Sequence, residues 1–170
     1  MTTPLKAVSF DIWDTLIDDE SDEPKRLAQG LRPKPAERRH LLWEALSRHQ
    51  PLSLEEVSRA YDSADAAFSK VWSENAVTWP VAERLRVTLN SLGRSLPEDE
   101  LEDLAESTGR MEVDIPPDPV PGIGGVVEEL SRRYKLSVIS DAIVTPGARL
   151  RELLEGHGLM KFFSTFVFSD

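Results

Sequence analysis

Two residues hold most of the chemistry this sequence could perform. Asp11 closes the short apolar run of Leu5, Ala7, Val8 and Phe10, which has the pattern of a strand buried on both faces of a parallel α/β sheet. Open α/β sheets hold ligands in the crevice outside the carboxyl ends of their strands, so a carboxylate there can bind a metal or attack phosphorus. The alternative is that Asp11 caps the following turn, as aspartates often do. Ser140 ends a second apolar stretch, Leu136 to Ile139. A hydroxyl at that point, followed by backbone amides, can hold an anionic oxygen without adding charge. Otherwise it simply starts a turn.

The elements that would position these residues alternate in character. After Ile17 comes an acidic run, Asp18, Asp19, Glu20, Asp22 and Glu23, then Lys25, Arg26, Gly30, Pro33 and Pro35. This reads as an exposed, solvated connection. It is not a calcium loop, because the glycine at the sixth position and the distal glutamate at the twelfth are missing. From Ala36 to Arg110 the pattern is helical. Leu42, Ala45 and Leu46 mark a first segment ended by Pro51. Ser53-Leu54-Glu55-Glu56 has the form of a capping box, and Val57, Tyr61, Ala64, Phe68 and Val71/Trp72 follow on one face. Val81, Leu85, Leu89 and Leu92 mark a third segment stopped by Gly93; Pro97 and its acidic neighbours open a fourth, burying Leu101 and Leu104. Four such helices make a bundle.

Four prolines between 116 and 121 form a linker out of the bundle. A helix carrying Ile123, Val127, Leu130 and Tyr134, the strand ending at Ser140, a helix with Leu150, Leu153 and Leu154, and a strand from Phe162 complete the chain. Gly122, Gly124 and Gly125 are not a dinucleotide fingerprint, since no strand precedes them. His40 and His49 lie on opposite sides of their helix, which suits surface residues and not a metal pair. The basic group Arg32, Lys34, Arg38, Arg39 and His40 reads as a solvated face paired with the acidic run, or as a source of one arginine for an anionic substrate group. Trp43, Trp72 and Trp79 read as core packing, and His157 as a helix-end residue.

The 170 residues are 40% hydrophobic with 30 acidic and 20 basic side chains, a formal net charge of -10. That balance argues against a nucleic-acid backbone or an anionic membrane as partner, and would repel a phosphate ester unless a cation screens it. No cysteine is present, so disulfides and thiolate metal sites are excluded. The N-terminus lacks a cationic segment followed by a long apolar run, and no window approaches a membrane span. The expectation is a soluble, cytoplasmic protein.

Phe10-Asp11-Ile12-Trp13-Asp14-Thr15-Leu16 resembles the first motif of the haloacid dehalogenase (HAD) superfamily, a hydrophobic strand running into Asp-x-Asp-x-Thr-Leu. Asp11 falls on the nucleophile, Thr15 on the motif's threonine and Leu16 on its leucine. Trp13 falls on the second aspartate, the general acid/base of the family's phosphatases, and Asp14 on the usual glycine. Pro121-Gly122, a helix, a strand and Val138-Ile139-Ser140-Asp141-Ala142 resemble the second motif, with Ser140 on the phosphate-binding hydroxyl and Asp141 on a position often held by asparagine. The resemblance implies a three-layer, Rossmann-like α/β core with a parallel sheet (residues 1–18 and 117–170), interrupted by an all-α helical cap (19–116). It also implies a catalytic set of Asp11, Thr15 and Ser140, phosphate contacts from Ser140, Asp141 and Ala142, and Mg2+ on Asp11 and the backbone carbonyl of Trp13. The implied substrate is a small phosphorylated metabolite, cleaved through an aspartyl phosphate. Family dehalogenases carry an aromatic residue at the position of Trp13, which makes 2-haloacid hydrolysis the alternative. A non-catalytic HAD module acting in binding or assembly is the third reading.

The family's third motif, a lysine, and its acidic fourth motif have no counterpart here. The family's order would place the next strand beside the Leu5 to Phe10 strand. The expectation is therefore an incomplete sheet with an apolar edge, covered by a further segment of chain or by a second copy, and little turnover without it.

Overall fold

The computed structural model describes residues 5–170. Its α/β part is a three-stranded parallel sheet in the order β1 (Ala7–Phe10), β2 (Lys135–Ser140), β3 (Phe163–Phe168). Parallel neighbours cannot be joined by a tight turn and need a crossover, usually a helix. Here α7 (Ile123–Ser131) leads into β2 and α8 (Gly147–Gly156) carries the chain from β2 to β3. Right-handed crossovers advancing in one direction put both helices on the same face. Accordingly Val127 of α7 and Leu150, Leu153 and Leu154 of α8 share one apolar cluster with Leu136, Val138, Phe163 and the turn residues Ile12, Leu16 and Ile17.

The period of the strands decides which side chains enter that cluster. In β2, Leu136, Val138 and Ser140 are buried while Lys135 and Ile139 are exposed, the alternation of a half-covered sheet. The β3 sequence FSTFVF does not alternate cleanly, and a register shift resolves it. Leu136 lies opposite Phe163 but Ser137 opposite Thr165, so Ser164 is the extra residue and Phe166 and Phe168 follow Val138 and Ser140. Gly147 lets α8 begin directly against β3: a Cβ there would come within 2.3 Å of the Phe168 ring.

β1 departs from the expectation of burial on both faces. Ala7 and Ser9 are exposed, Val8 and Phe10 only half-buried, because β1 pairs with β2 alone and the helices of the α/β cluster pack on the other face. Ile139 and Val167, 53% and 52% exposed, share the uncovered face with Ser9. An apolar run reports that a strand can be buried, not what neighbours it finds.

The chain between β1 and α7 is helical: α1 (Glu23–Ala28), α2 (Lys34–His49), α3 (Leu54–Asn75), α4 (Val81–Ser91), α5 (Glu98–Gly109) and α6 (Met111–Asp114). The anticipated stripes of α2, α4 and α5, with the first half of that of α3, form a second apolar cluster, from Leu42 and Leu46 through Tyr61 and Leu85 to Leu104, while Ala64, Phe68, Val71 and Trp72 of the α3 stripe stand outside it. The capping box forms as read: Ser53 Oγ accepts from the Glu56 amide at 3.2 Å, and Glu56 accepts from the Ser53 amide at 2.9 Å. Gly93 follows α4 at φ +62°. The insertion leaves and rejoins the sheet at one place, where the Asp18 amide donates to the Asp118 carbonyl at 2.8 Å and Ile17 pairs with Pro119.

One expectation here is corrected. The acidic stretch after Ile17 is not simply a solvated connection, since Asp22, Arg26 and Lys34 are 0%, 4% and 3% exposed. Local composition reads as surface, but Lys34 is buried because it meets Glu112, far along the chain.

Candidate active site

β1 and β2 run side by side with Phe10 opposite Val138, so the residues that follow them emerge at the same end of the sheet. After β1 the backbone wraps around one carbonyl: Ile12 accepts from the amides of Thr15, Leu16 and Ile17 at 3.3, 2.8 and 2.9 Å. The turn requires a left-handed residue, and Asp14 supplies it at φ +53°, a conformation that aspartate tolerates better than most residues. That is the physical reason a glycine would be at home there. The Asp11 side chain stands exposed at the strand end, with one oxygen accepting from the Ile12 amide at 2.7 Å.

Asp11, Trp13, Ser140 and Asp141 line one open cavity of about 500 Å³ together with Trp72, Ile139, Ile143, Val167, Phe168 and Ser169. None of these residues is lysine or arginine. Ser140 is 7% exposed and its Oγ has no hydrogen-bond partner. A buried hydroxyl without a partner is costly, and an oxygen of a bound anion would satisfy it. Asp141 is exposed and accepts from the Trp72 indole N–H at 3.2 Å. Ser169 Oγ, at the end of β3, accepts from the Ala142 amide at 3.0 Å and is 2.7 Å from Thr78 Oγ1. Thr15 and Ala142 do not line the cavity; the Ala142 amide is taken by Ser169.

Trp13 and Ile143 also border a second recess of about 220 Å³. Among its other residues are Asp19, Lys34, Arg38, Glu112 and Thr145. Lys34 Nζ donates to Asp22 at 2.8 Å and to Glu112 at 3.1 Å, and Thr145 Oγ1 donates to Glu112. Burial alone would lower the Lys34 pKa, but the attraction of Glu112 and the hydrogen bonds to both carboxylates outweigh it and hold the ammonium above the ordinary lysine value. Burial pushes the Asp19 carboxyl up, against a hydrogen bond from the Glu20 amide and the attraction of Lys34. Arg38 Nε and Asp22 Oδ2 are buried without partners.

Asp11, Trp13, Ser140 and Asp141, singled out in the sequence, line one cavity. Sequence reading missed Trp72, which was expected to pack in a core and instead faces the cavity, and Ser169. The signal for Ser169 was its position just past a strand end, the same signal that singled out Ser140. The basic group is also corrected in part: Arg32 pairs with Glu37, Arg39 with Asp62 and His40 with Glu44, while only Lys34 meets the acidic run.

Among solved structures, the chain is similar to the HAD hydrolase YfnB of Bacillus subtilis, bound to magnesium. The TM-score is 0.55 at 16% identity, covering 98% of this chain and 66% of that one. It is similar to a 2-haloacid dehalogenase of Pseudomonas syringae pv. tomato, with a TM-score of 0.54 at 18% identity, covering 98% and 64%. The chain has the HAD fold. A dehalogenase solved as an intermediate complex has the same fold, with a TM-score of 0.50 at 15% identity. The present chain therefore spans less than two thirds of the length of these HAD structures. No family model matches the sequence, and no curated protein matches it. No helix among the described residues is long and apolar enough to cross a membrane.

Proposed function

We propose that this HAD-fold chain belongs to a hydrolase in which Asp11 is the nucleophile toward a small anionic substrate, most simply a phosphorylated metabolite. The observation that supports this is the convergence of an exposed Asp11 carboxylate with the unpartnered, buried Ser140 hydroxyl on one cavity at the carboxyl end of the sheet. A carboxylate oxygen of Asp11 attacks phosphorus, the bond from phosphorus to the leaving oxygen breaks, and water then attacks the aspartyl phosphate to release phosphate and restore the carboxylate. Ser140 donates to a phosphoryl oxygen. The helical insertion serves as a cap over this chemistry, and Thr15 holds the turn that presents Asp11.

The donor chemistry fits a magnesium ion only as a partial shell. No group of three His, Cys, Asp or Glu side chains converges among the described residues, but magnesium is commonly held by one or two carboxylates with water and substrate phosphate completing its octahedron. Asp11 and the Trp13 carbonyl would hold it, with Asp141 within the same cavity. When bound it supplies Lewis-acid screening of phosphoryl charge, which a cavity with two carboxylates and no cationic side chain otherwise lacks.

A second reading, hydrolysis of a 2-haloacid, has its own observation. Trp13 stands in the cavity where the phosphatase reading needs an acid for the leaving alcohol. Halide leaves without a proton: Asp11 attacks the carbon, the carbon–halogen bond breaks, and water cleaves the resulting ester to the hydroxy acid. Arg38, whose Nε is buried without a partner, lines the second recess that Trp13 also borders, and its guanidinium suits a substrate carboxylate or a departing halide.

The test is turnover of phosphate monoesters with graded leaving groups and of 2-chloropropionate, with and without magnesium, using the longest natural form of the chain. For a phosphatase, Trp13→Asp raises the rate on poor leaving groups by about 10²- to 10⁴-fold, the usual worth of a general acid. For a dehalogenase it lowers the rate. Activity of either kind that survives Asp11→Asn rules out the assigned nucleophile.

A further inference from the structure

The loop that follows Ser140 forms part of the cavity wall, and little of its own backbone holds it. Outside the helices and strands, no backbone-to-backbone hydrogen bond among the described residues involves residues 141–145. Peptides without such bonds are fixed by side chains or water. Here the side chains come from other parts of the chain. Asp141 accepts from Trp72, the Ala142 amide donates to Ser169 Oγ, and Thr145 Oγ1 donates to Glu112. Val144 packs against the helical cluster. Ile143, which borders both the cavity over Asp11 and the second recess, is held by its carbonyl, which accepts from Arg84 Nη1 at 3.2 Å.

Arg84 lies on α4 and is 6% exposed. Its guanidinium stands over the Phe68 ring, 4.5 Å from the centroid, and Nη2 is 3.3 Å from Asp65 Oδ1. Nε is buried without a partner. The planar fork of a guanidinium presents donors at fixed separation, and this one spans from a carboxylate on α3 to a peptide carbonyl beyond β2. Its base is set, because Val81, Leu85 and Leu89 of α4 are buried in the helical cluster. A buried ion pair does not in general stabilise a fold more than apolar side chains of similar volume. What Arg84 adds is orientation of the Ile143 peptide.

We infer that Arg84 is a positioning residue for anion binding: by holding the Ile143 carbonyl from the helical insertion, it keeps the segment from Ser140 to Ile143 in place on the cavity wall. Arg84 does not line the cavity itself, so it acts through the loop and not on a bound group. That the loop binds an anion rests on the function proposed above. That Arg84 orders the loop does not.

Three variants of the full chain separate these roles. Arg84→Met keeps a long stem over Phe68 and loses the donor; Arg84→Lys keeps the charge beside Asp65 but not the fork; Asp65→Asn loses the ion pair and keeps the donor. Arg84→Met is expected to raise native-state amide exchange at 141–145 by about tenfold or more, the lower range for a bond to a charged group, and to move the Ile143 carbonyl 13C resonance upfield. It also weakens inorganic phosphate binding, read calorimetrically, by about threefold or more, as part of the population leaves the binding conformation. Arg84→Lys does the same to a smaller degree, and Asp65→Asn leaves all three at wild-type values. Unchanged exchange and carbonyl resonance in Arg84→Met overturn the inference. So does Asp65→Asn matching Arg84→Met, which would make Arg84 a partner of Asp65 and nothing more. Should Arg84→Met fail to fold, Arg84→Lys decides alone, and wild-type values in all three readings overturn the inference. A loosened loop with undiminished phosphate binding removes Arg84 from the site. A loop loosened by Arg84→Met in a protein that binds no phosphate refutes the anion-binding reading of Ser140 and leaves the hold of Arg84 on the loop standing.

Discussion

The two apolar clusters are assembled from different distances along the chain. The buried residues of the helical one all fall between Leu42 and Leu104, each helix touching a neighbour close in sequence, and Val144 of the α/β part packs against them. The α/β cluster joins Ile12, Leu16 and Ile17 to Val127 and everything beyond, across the whole insertion. Closing so long a loop must precede the contacts that reward it, and the loop-closure cost is met only once β1 finds β2. The helical half can therefore organise itself, whereas the half that carries Asp11 depends on it having done so. A buried bridge between them is the group around Lys34, which contacts both passages between the halves and, through Glu112, Thr145 ahead of α8; Arg84, donating to the Ile143 carbonyl at 3.2 Å, is another.

The change expected to disturb this relation most is Asp22→Ala. It leaves the buried Lys34 ammonium with one carboxylate in place of two, and removing one partner of a buried pair costs about 3–5 kcal/mol. Thermal unfolding followed by near-UV signal and by helix content should then separate into two transitions; a single shifted transition would mean that the halves are coupled elsewhere. Next come Leu136→Ala and Leu85→Ala, each about 2–5 kcal/mol for a fully buried leucine. In denaturant titrations the first should abolish the α/β half with helix largely retained, and the second should take down both.

Ser140→Ala acts within the α/β half alone. Its hydroxyl is buried and unpartnered, so removing it leaves stability unchanged or raises it by up to about 1–3 kcal/mol, the cost of an unsatisfied group, while anion binding measured calorimetrically with inorganic phosphate falls. Loss of stability without loss of binding would mean the hydroxyl has a structural partner. The smallest effect is that of pH at Asp19. Its pKa is raised on folding, so the folded state holds the proton more tightly than the unfolded chain does. Stability from this group therefore grows as pH falls toward the ordinary carboxylate value and is lost as pH rises through the raised one. Asp19→Asn should flatten that slope between the two, as read from melting temperature against pH.

Much of the helical half was legible in the sequence because its signals are local. The Ser53 box, the stripe from Val57 to Phe68 and the stop at Gly93 each depend on residues within a few turns. The candidate site was half legible. Asp11 and Ser140 were marked by strand ends, which a sequence displays, whereas Trp72 faces the cavity only because α3 runs on past its own cluster, a matter of length against geometry. Burial of Asp22 and Lys34 was invisible for the same reason in reverse. A charge run reads as surface until a partner such as Glu112 arrives from the far side of an insertion.

The hydrogen bond between Asp18 and Asp118 has a consequence for how such a molecule can change. The helical insertion enters and leaves through a gap no wider than one peptide hydrogen bond, so to the sheet it is equivalent to a tight turn. Helices can be added, lost or exchanged between those two aspartates without altering the register of β1 on β2. The strand ends around Asp11 and the helical surface facing them are thus free to vary on separate schedules, one fixed by strand pairing and the other open to replacement as a unit.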